Sequence, residues 1–105
     1  MPERPATPRY GHAPIAMRRV AGFDEIERAG DFYWNLRIKG VRRLVFTEPA
    51  LEGHEVVSIP VARGDGGRGA HWGWDGNEER PTLKPSVHTF GVWHGWIRDG
   101  KLVEA

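Results

Sequence analysis

The sequence predicts a mainly β domain, a small antiparallel β-sandwich or partly open barrel with at most one short helix. Several short segments alternate apolar and polar residues with the period of two that is typical of half-buried strands. Turn sequences rich in glycine, proline, aspartate and asparagine separate these segments. Because the chain has only 105 residues, we expect one hydrophobic core rather than two.

The N-terminal part of the sequence is predicted to be an arm followed by one domain. Residues 1–13 contain three prolines and few apolar side chains, so we expect a flexible arm, with the β-rich domain at residues 14–105. Residues 14–20 favour a first strand. Residues 23–29 carry acids early, an arginine late and Gly30 just after, an order that favours one or two helical turns.

Three further strands are predicted in the first two thirds of the chain. Residues 32–38 alternate strictly, which favours a half-buried strand. After Gly40, residues 43–46 are a plausible hairpin partner for it. Residues 55–61 are predicted to form the next strand. Because proline cannot donate to a central ladder, Pro60 predicts either that this strand lies at a sheet edge or that Pro60 lies near the end of the strand.

The C-terminal third is predicted to contain short strands linked by tight turns. The composition of residues 63–69 indicates a solvated loop, and residues 71–74 favour a strand. Residues 87–90 and 92–97 favour two more strands. Asp99-Gly100 predicts a type I′ hairpin, because both residues tolerate a positive φ, and this turn would pair Arg98 with Lys101.

Tryptophan is unusually frequent, with five residues in 105. Each tryptophan can bury about 150–250 Å², so these side chains either fill the core or form an exposed aromatic surface. We predict a binding surface near two arginines for a protein partner. Its predicted residues are Trp72, Trp74, Trp93, Trp96, Arg42 and Arg43.

The composition excludes some classes of site and location. The sequence has no cysteine, which rules out disulfides, thiolate metal ligands and a cysteine nucleophile. There is no apolar run long enough to span a membrane and no signal-peptide core. We therefore expect a cytosolic protein, including the cytosol of a phage-infected or lysogenic cell, without a membrane partner; a homo-oligomer is possible.

Histidines offer one possible metal site. His88 and His94 lie on predicted neighbouring strands, and Glu52, His54 or Glu55 could complete a zinc site from the other half of the chain, with His54 preferred. The spacing matches no defined zinc motif, so we expect no cofactor and keep zinc as an alternative.

Hydrolytic chemistry is a further possibility. Ser86 with His88 or His94 suggests a hydrolase, but no nucleophile elbow surrounds Ser86, and Pro85 before it fits a structural turn. The carboxylates of the C-terminal third lie in predicted turns, where they are normally solvated. On these grounds we do not expect catalysis.

Three segments together resemble a known family. They read W-G-W-D-G-N at residues 72–77, P-T-L-K-P-S at residues 81–86 and H-G-W-I-R-D-G at residues 94–100. They resemble a small domain-of-unknown-function family of phages and prophages, sometimes mislabelled as ammonia monooxygenase. Its pattern runs W-x-W-D-G-N, P-T-L-x-P-S and C-H-x-F/W-I-x-D-G, and covers about a third of this chain.

The resemblance implies a compact β-rich domain with a zinc site made of cysteines from a turn and the C-H pair. This sequence departs from that pattern, because Trp93 stands where the family has cysteine and residues 47–54 contain none. Only His94 remains of the implied ligand set, so we expect the zinc to have been lost.

The sequence thus supports three hypotheses about function. The first, which the resemblance implies, is a non-catalytic phage or prophage accessory protein of the bacterial cytoplasm or of the virion that binds a virion component or a host-defence protein. The second is a zinc-dependent, hydrolase-like domain. The third is nucleic-acid binding by the basic N-terminal half, where residues 1–46 carry nine Lys and Arg against five Asp and Glu, a net charge of +4.

Overall fold

The computed structural model describes residues 11–37, 40–50, 53–64 and 71–105, and these ranges form ten strands in two sheets. A 3-10 turn at Phe23–Glu25 is the one helical element within them. The strands are β1 (Ile15–Ala16), β2 (Arg18–Arg19), β3 (Asp31–Asn35), β4 (Arg42–Ala50), β5 (Gly53–Arg63), β6 (Trp72–Trp74), β7 (Leu83–Lys84), β8 (Val87–Thr89), β9 (Trp93–Arg98) and β10 (Lys101–Glu104).

The two sheets confirm the predicted mainly β class. The four-stranded sheet has the order β1-β10-β9-β8 and is antiparallel throughout. The six-stranded sheet has the order β2-β3-β4-β5-β6-β7, and it is antiparallel except for the β2–β3 and β5–β6 pairs. The 3-10 turn also agrees with the prediction of at most one short helix.

Both sheets contribute to a single hydrophobic core. The six-stranded sheet supplies the fully buried Phe32, Leu44 and Phe46, and the four-stranded sheet supplies the fully buried Trp93 and Ile97. These side chains recur at every second residue of their strands, as the sequence pattern predicts. The strand at residues 32–38 ends earlier than predicted, since β3 stops at Asn35; residue 38 lies outside the described residues.

Residues 14–20 do not form one strand but divide between the two sheets. Strand β1 pairs with β10, and β2 pairs with β3. Met17 lies between them and donates its backbone N–H to the carbonyl of Gly100 at 2.9 Å. The segment therefore links the two sheets. Most of the predicted arm, residues 1–10, lies outside the described residues, whereas His12 accepts a hydrogen bond from Trp93 Nε1 at 3.0 Å.

Pro60 shows how a proline fits an interior strand. Strand β5 lies between β4 and β6, so it is not an edge strand as a whole. However, the pairing between β5 and β6 begins only at Val61, one residue after Pro60. Pro60 therefore has a paired residue on β4 but none on β6. Its missing N–H therefore leaves no gap in the ladder with β6. Most of the predicted loop at residues 63–69 lies outside the described residues.

An ion pair between a part-exposed arginine and a buried carboxylate joins β2 to β3. The Asp31 carboxylate is fully buried and accepts two hydrogen bonds from the Arg18 guanidinium, at 2.9 and 2.7 Å. Backbone N–H groups of Glu27 and Arg28 also donate to it, at 2.9 and 3.2 Å. Burial opposes ionisation, but these hydrogen bonds outweigh it and lower the pKa of Asp31. The ionised carboxylate thus holds the start of β3 in place.

The Asp99-Gly100 turn confirms the predicted hairpin. Both residues have a positive φ, 48° and 67°, and Arg98 pairs with Lys101. This hairpin places β9 and β10 side by side, and it also anchors the segment that leads to the candidate site.

Candidate functional site

Ser86 and His94 form a hydrogen-bonded pair at the junction of the two sheets. Ser86 lies between β7, an edge strand of the six-stranded sheet, and β8, an edge strand of the four-stranded sheet. Its Oγ is 3.1 Å from His94 Nε2, and both side chains are half-buried. A serine hydroxyl that is hydrogen-bonded to an imidazole nitrogen can be activated as a nucleophile, because the imidazole can accept the hydroxyl proton.

The ring of His94 is held in a stack of three aromatic rings. His88 faces His94 across the β8–β9 pair, with ring centroids 4.3 Å apart and an interplanar angle of 17°. Phe90 stacks on His88 with a centroid distance of 4.4 Å and an angle of 18°. Among the residues that the structure describes, no carboxylate accepts a hydrogen bond from the His94 ring. Stacking therefore restricts the plane of this imidazole in place of a carboxylate.

The loop before Ser86 is built by two side chains that bind its backbone. Asp75 Oδ1 accepts hydrogen bonds from the backbone N–H groups of Asn77 and Thr82, at 3.0 and 3.2 Å. Asn77 Oδ1 accepts from those of Glu79 and Arg80, at 3.0 and 2.8 Å. These bonds fix the path of residues 75–82.

The same loop is attached to the Asp99-Gly100 hairpin. Thr82 Oγ1 accepts a hydrogen bond from the backbone N–H of Asp99 at 2.8 Å. The Pro81 carbonyl accepts a hydrogen bond from the backbone N–H of Gly100 at 3.0 Å. Arg80 forms an ion pair with the Asp99 carboxylate at 2.8 Å. Segments 72–77, 81–86 and 94–100 therefore meet in space, and together they position Ser86 against His94.

A groove of about 400 Å³ opens beside the pair. One of its lining residues, Pro85, directly precedes Ser86 in the chain. Another, Trp96, lies two residues after His94 on the same side of β9. The residues that line it are Thr82, Leu83, Lys84, Pro85, Trp96 and Arg98.

A buried carboxyl group lies behind β8. Glu48 is fully buried, and one of its oxygens accepts a hydrogen bond from Thr89 Oγ1 at 2.9 Å. Its Oε1 has no hydrogen-bond partner among the described residues. Burial, with a smaller contribution from Glu55 opposite it on β5, raises the pKa of Glu48 to about 7, although the Thr89 hydrogen bond lowers it. Glu48 thus carries a proton over much of the acidic range.

The predicted aromatic surface is divided between core and groove. Trp93 and Trp74 are 0% and 5% exposed, so neither offers a contact surface, whereas Trp72 and Trp96 are half-buried. The Trp72 indole N–H makes a long hydrogen bond of 3.4 Å to the Ser86 carbonyl. The large apolar side chains that are exposed in the described ranges are instead Phe23, Leu36, Val56 and Phe90.

The predicted arginines are engaged within the protein. Arg42 lies over the rings of Trp34 and Trp74, at 5.3 and 4.8 Å from their centroids, and forms an ion pair with Glu78 at 3.0 Å. Arg43 donates hydrogen bonds to the hydroxyl and carbonyl of Ser58, at 2.8 and 3.0 Å. These arginines therefore support the fold of the six-stranded sheet.

The three histidines of the predicted metal site are only partly brought together. His88 and His94 are in contact, and His54 lies on β5 of the other sheet, paired with Pro49. In the ranges that the structure covers, no three His, Asp or Glu side chains are grouped to hold a metal ion. Those ranges also contain no helix long and apolar enough to cross a membrane.

Ser86 is the candidate that reasoning from the sequence set aside, although a signal for it was present. The chain has two serines, Ser58 and Ser86, and the strands predicted at residues 87–90 and 92–97 already place His94 near Ser86. The argument against Ser86 was the missing nucleophile elbow, but a serine at a junction of two sheet edges does not need that motif.

Comparison with known proteins identifies the family. No curated protein and no solved structure gives a significant match. The family model of BubE, described as a bacterial ubiquitination-like system serine protease, matches residues 19–105. The hypothesis of a non-catalytic phage or prophage accessory protein is therefore wrong, because the matched family is described as a protease of a bacterial system. Since the match covers most of the chain and includes every strand from β3 to β10, this protein belongs to the BubE family.

Proposed function

We propose that this protein is a serine protease in which Ser86 is the nucleophile and His94 is the general base. The observation that carries the proposal is the 3.1 Å contact between Ser86 Oγ and His94 Nε2. The other serine, Ser58, has its hydroxyl bound to Arg43 Nε at 2.8 Å. A guanidinium cannot accept a proton, so Ser58 lacks a base at its hydroxyl.

The geometry supports the usual two-step acyl transfer. His94 Nε2 takes the hydroxyl proton as Ser86 Oγ attacks the carbonyl carbon of the scissile peptide bond. The His94 imidazolium then gives this proton to the leaving amine, and the acyl group stays on Ser86. A water molecule, deprotonated by His94, attacks the acyl-enzyme; its proton returns to the Ser86 oxygen, and the carboxylic acid product leaves.

His88 supports this chemistry as a positioning residue. It stacks on the face of His94 and leaves the ring edge with Nε2 directed at Ser86. The stack limits rotation of the imidazole, which keeps the base aligned with the hydroxyl between turnovers.

The family description names a bacterial ubiquitination-like system. We therefore propose that the substrate is a protein of such a system in the bacterial cytoplasm, and that the interaction with this protein partner is the one between enzyme and substrate.

A peptide-library digestion tests the proposal. Purified protein is incubated with a mixture of peptides, and new termini are identified by mass spectrometry. Cleavage should fall by about 10³-fold or more in Ser86→Ala and should persist in the matched control Ser58→Ala. Equal cleavage by Ser86→Ala and the unchanged protein would refute the assignment of the nucleophile.

A further inference from the structure

The groove is lined by the chain neighbours of Ser86 and His94, so it lies next to the proposed nucleophile and base. Pro85 precedes the serine directly, and Trp96 follows His94 on the same side of β9. This adjacency puts the groove close to a residue that flanks the scissile bond of a peptide bound at Ser86 Oγ. Its volume of about 400 Å³ is sufficient for one or two side chains.

The lining of the groove combines apolar side chains with two cations. Its apolar residues are the buried Leu83 together with Trp96 and Pro85. The Arg98 guanidinium lies 4.3 Å from the centroid of the Trp96 ring, which fixes a positive charge above a flat apolar surface. Lys84 contributes a second charge to the lining.

These two cations differ from three arginines elsewhere in the protein. Arg80, Arg42 and Arg19 each form an ion pair with an acidic side chain. Within the described part of the chain, Lys84 and Arg98 form none, and both are exposed. The acid next to Arg98 in sequence, Asp99, is already paired with Arg80.

We propose that this groove is a specificity subsite for an acidic residue flanking the scissile bond. The methylene groups of a Glu side chain would pack on Trp96, and its carboxylate would lie between Arg98 and Lys84. This inference rests on the proposed protease function, because it assigns the groove to the substrate of Ser86.

A competition experiment tests the subsite without requiring turnover. A small fluorophosphonate probe modifies activated serines, and bound peptides slow this reaction. Matched hexapeptides with a central Leu-Glu, Leu-Gln or Leu-Lys pair are compared by the concentration that halves the labelling rate. The Glu peptide should protect Ser86 at a roughly five- to ten-fold lower concentration than the Lys peptide, as expected for one or two exposed ion pairs.

Charge reversal provides the matched variant. Lys84→Glu combined with Arg98→Glu should shift the preference toward the Lys peptide, while Arg37→Glu, an exposed cation outside the groove, should leave it unchanged. Equal protection by the three peptides would refute the proposed subsite but not the proposed protease function. An acidic preference that persists in the double charge-reversal variant would do the same. Failure of the probe to label Ser86 at all would overturn the proposed function and the subsite with it.

Discussion

Ser86 Oγ lies 3.1 Å from His94 Nε2, and the two residues are eight positions apart in the chain. The short separation spans strand β8 and the turn that leads into β9, so the contact depends on the register between these strands. His88 pairs with His94, and Val87 pairs with Gly95. A shift of one residue would turn His94 to the opposite side of the sheet and separate it from Ser86.

The stack on His94 leads to a first prediction. In His88→Ala the imidazole of His94 gains freedom to rotate, so kcat should fall by roughly ten-fold with little change in KM. His88→Phe keeps a flat ring against His94 and should retain most of the activity. Steady-state cleavage of one peptide from the library measures both variants. If His88→Ala were as active as the unchanged protein, the stack would have no positioning role.

Glu48 leads to a prediction about pH and stability. Its pKa is about 7 in the folded protein and near its ordinary value, 4.5, in the unfolded chain. Between these values the folded state binds more protons, so its stability falls as the pH rises from about 4.5 to about 7. The free energy of unfolding should decrease by about 1–3 kcal/mol over this window.

Glu48→Gln removes the titrating proton while it keeps the size of the side chain. Urea unfolding at several pH values should show a smaller decrease in this variant than in the unchanged protein. The exposed Glu55→Gln, opposite Glu48 on β5, removes the smaller of the two causes of the raised pKa and should reduce the decrease only slightly. Identical pH profiles for Glu48→Gln and the unchanged protein would contradict the raised pKa.

The buried carboxylate of Asp31 leads to a third prediction. Asp31→Ala leaves the backbone N–H groups of Glu27 and Arg28 and the Arg18 guanidinium without their shared acceptor. We expect the free energy of unfolding to decrease by about 2–4 kcal/mol. Because the pKa of Asp31 is lowered, its contribution is present above its unfolded-state pKa and is lost as the pH falls through the folded value.

Thermal or urea unfolding measures this change. Asp24→Ala is a suitable control, since Asp24 is exposed and also lies near the start of the chain. A loss below about 0.5 kcal/mol in Asp31→Ala, the range of ordinary surface substitutions, would show that the ion pair does not hold β2 against β3.

The loop of residues 75–82 leads to a fourth prediction. Asn77→Ala removes the acceptor of two backbone hydrogen bonds and should destabilise the protein by about 1–2 kcal/mol. Since the loop attaches the Ser86 segment to the Asp99-Gly100 hairpin, cleavage should also slow at temperatures well below unfolding. A variant that lost stability but kept full activity would show that the loop does not position Ser86.

Most of the fold was predictable because its signals are local. The alternation that places Phe32 inside β3 and the Asp99-Gly100 turn need only neighbouring residues, and the structure confirms both. The division of residues 14–20 between two sheets was not predictable, because it depends on the distant partners β3 and β10.

The site was harder to predict for a related reason. The sequence named Ser86, His88 and His94, but whether they meet depends on strand register and on the path of the preceding loop. The sequence could not tell which tryptophans are in the core, because all have the same side chain. Only the structure shows that Trp93 is buried in the core and that Trp96 is half-buried beside the groove. The match to a family described as a serine protease then favoured catalysis over binding as the proposal.

The central claim is that Ser86 is a nucleophile activated by His94, and covalent labelling tests it most directly. Protein treated with a fluorophosphonate probe is weighed by intact-mass spectrometry, and the modified residue is located by peptide mapping. One adduct should form on Ser86, it should disappear in Ser86→Ala, and its rate should fall strongly in His94→Ala, with Ser58→Ala labelled normally. Absence of the adduct, or an adduct that persists in Ser86→Ala, would contradict this account.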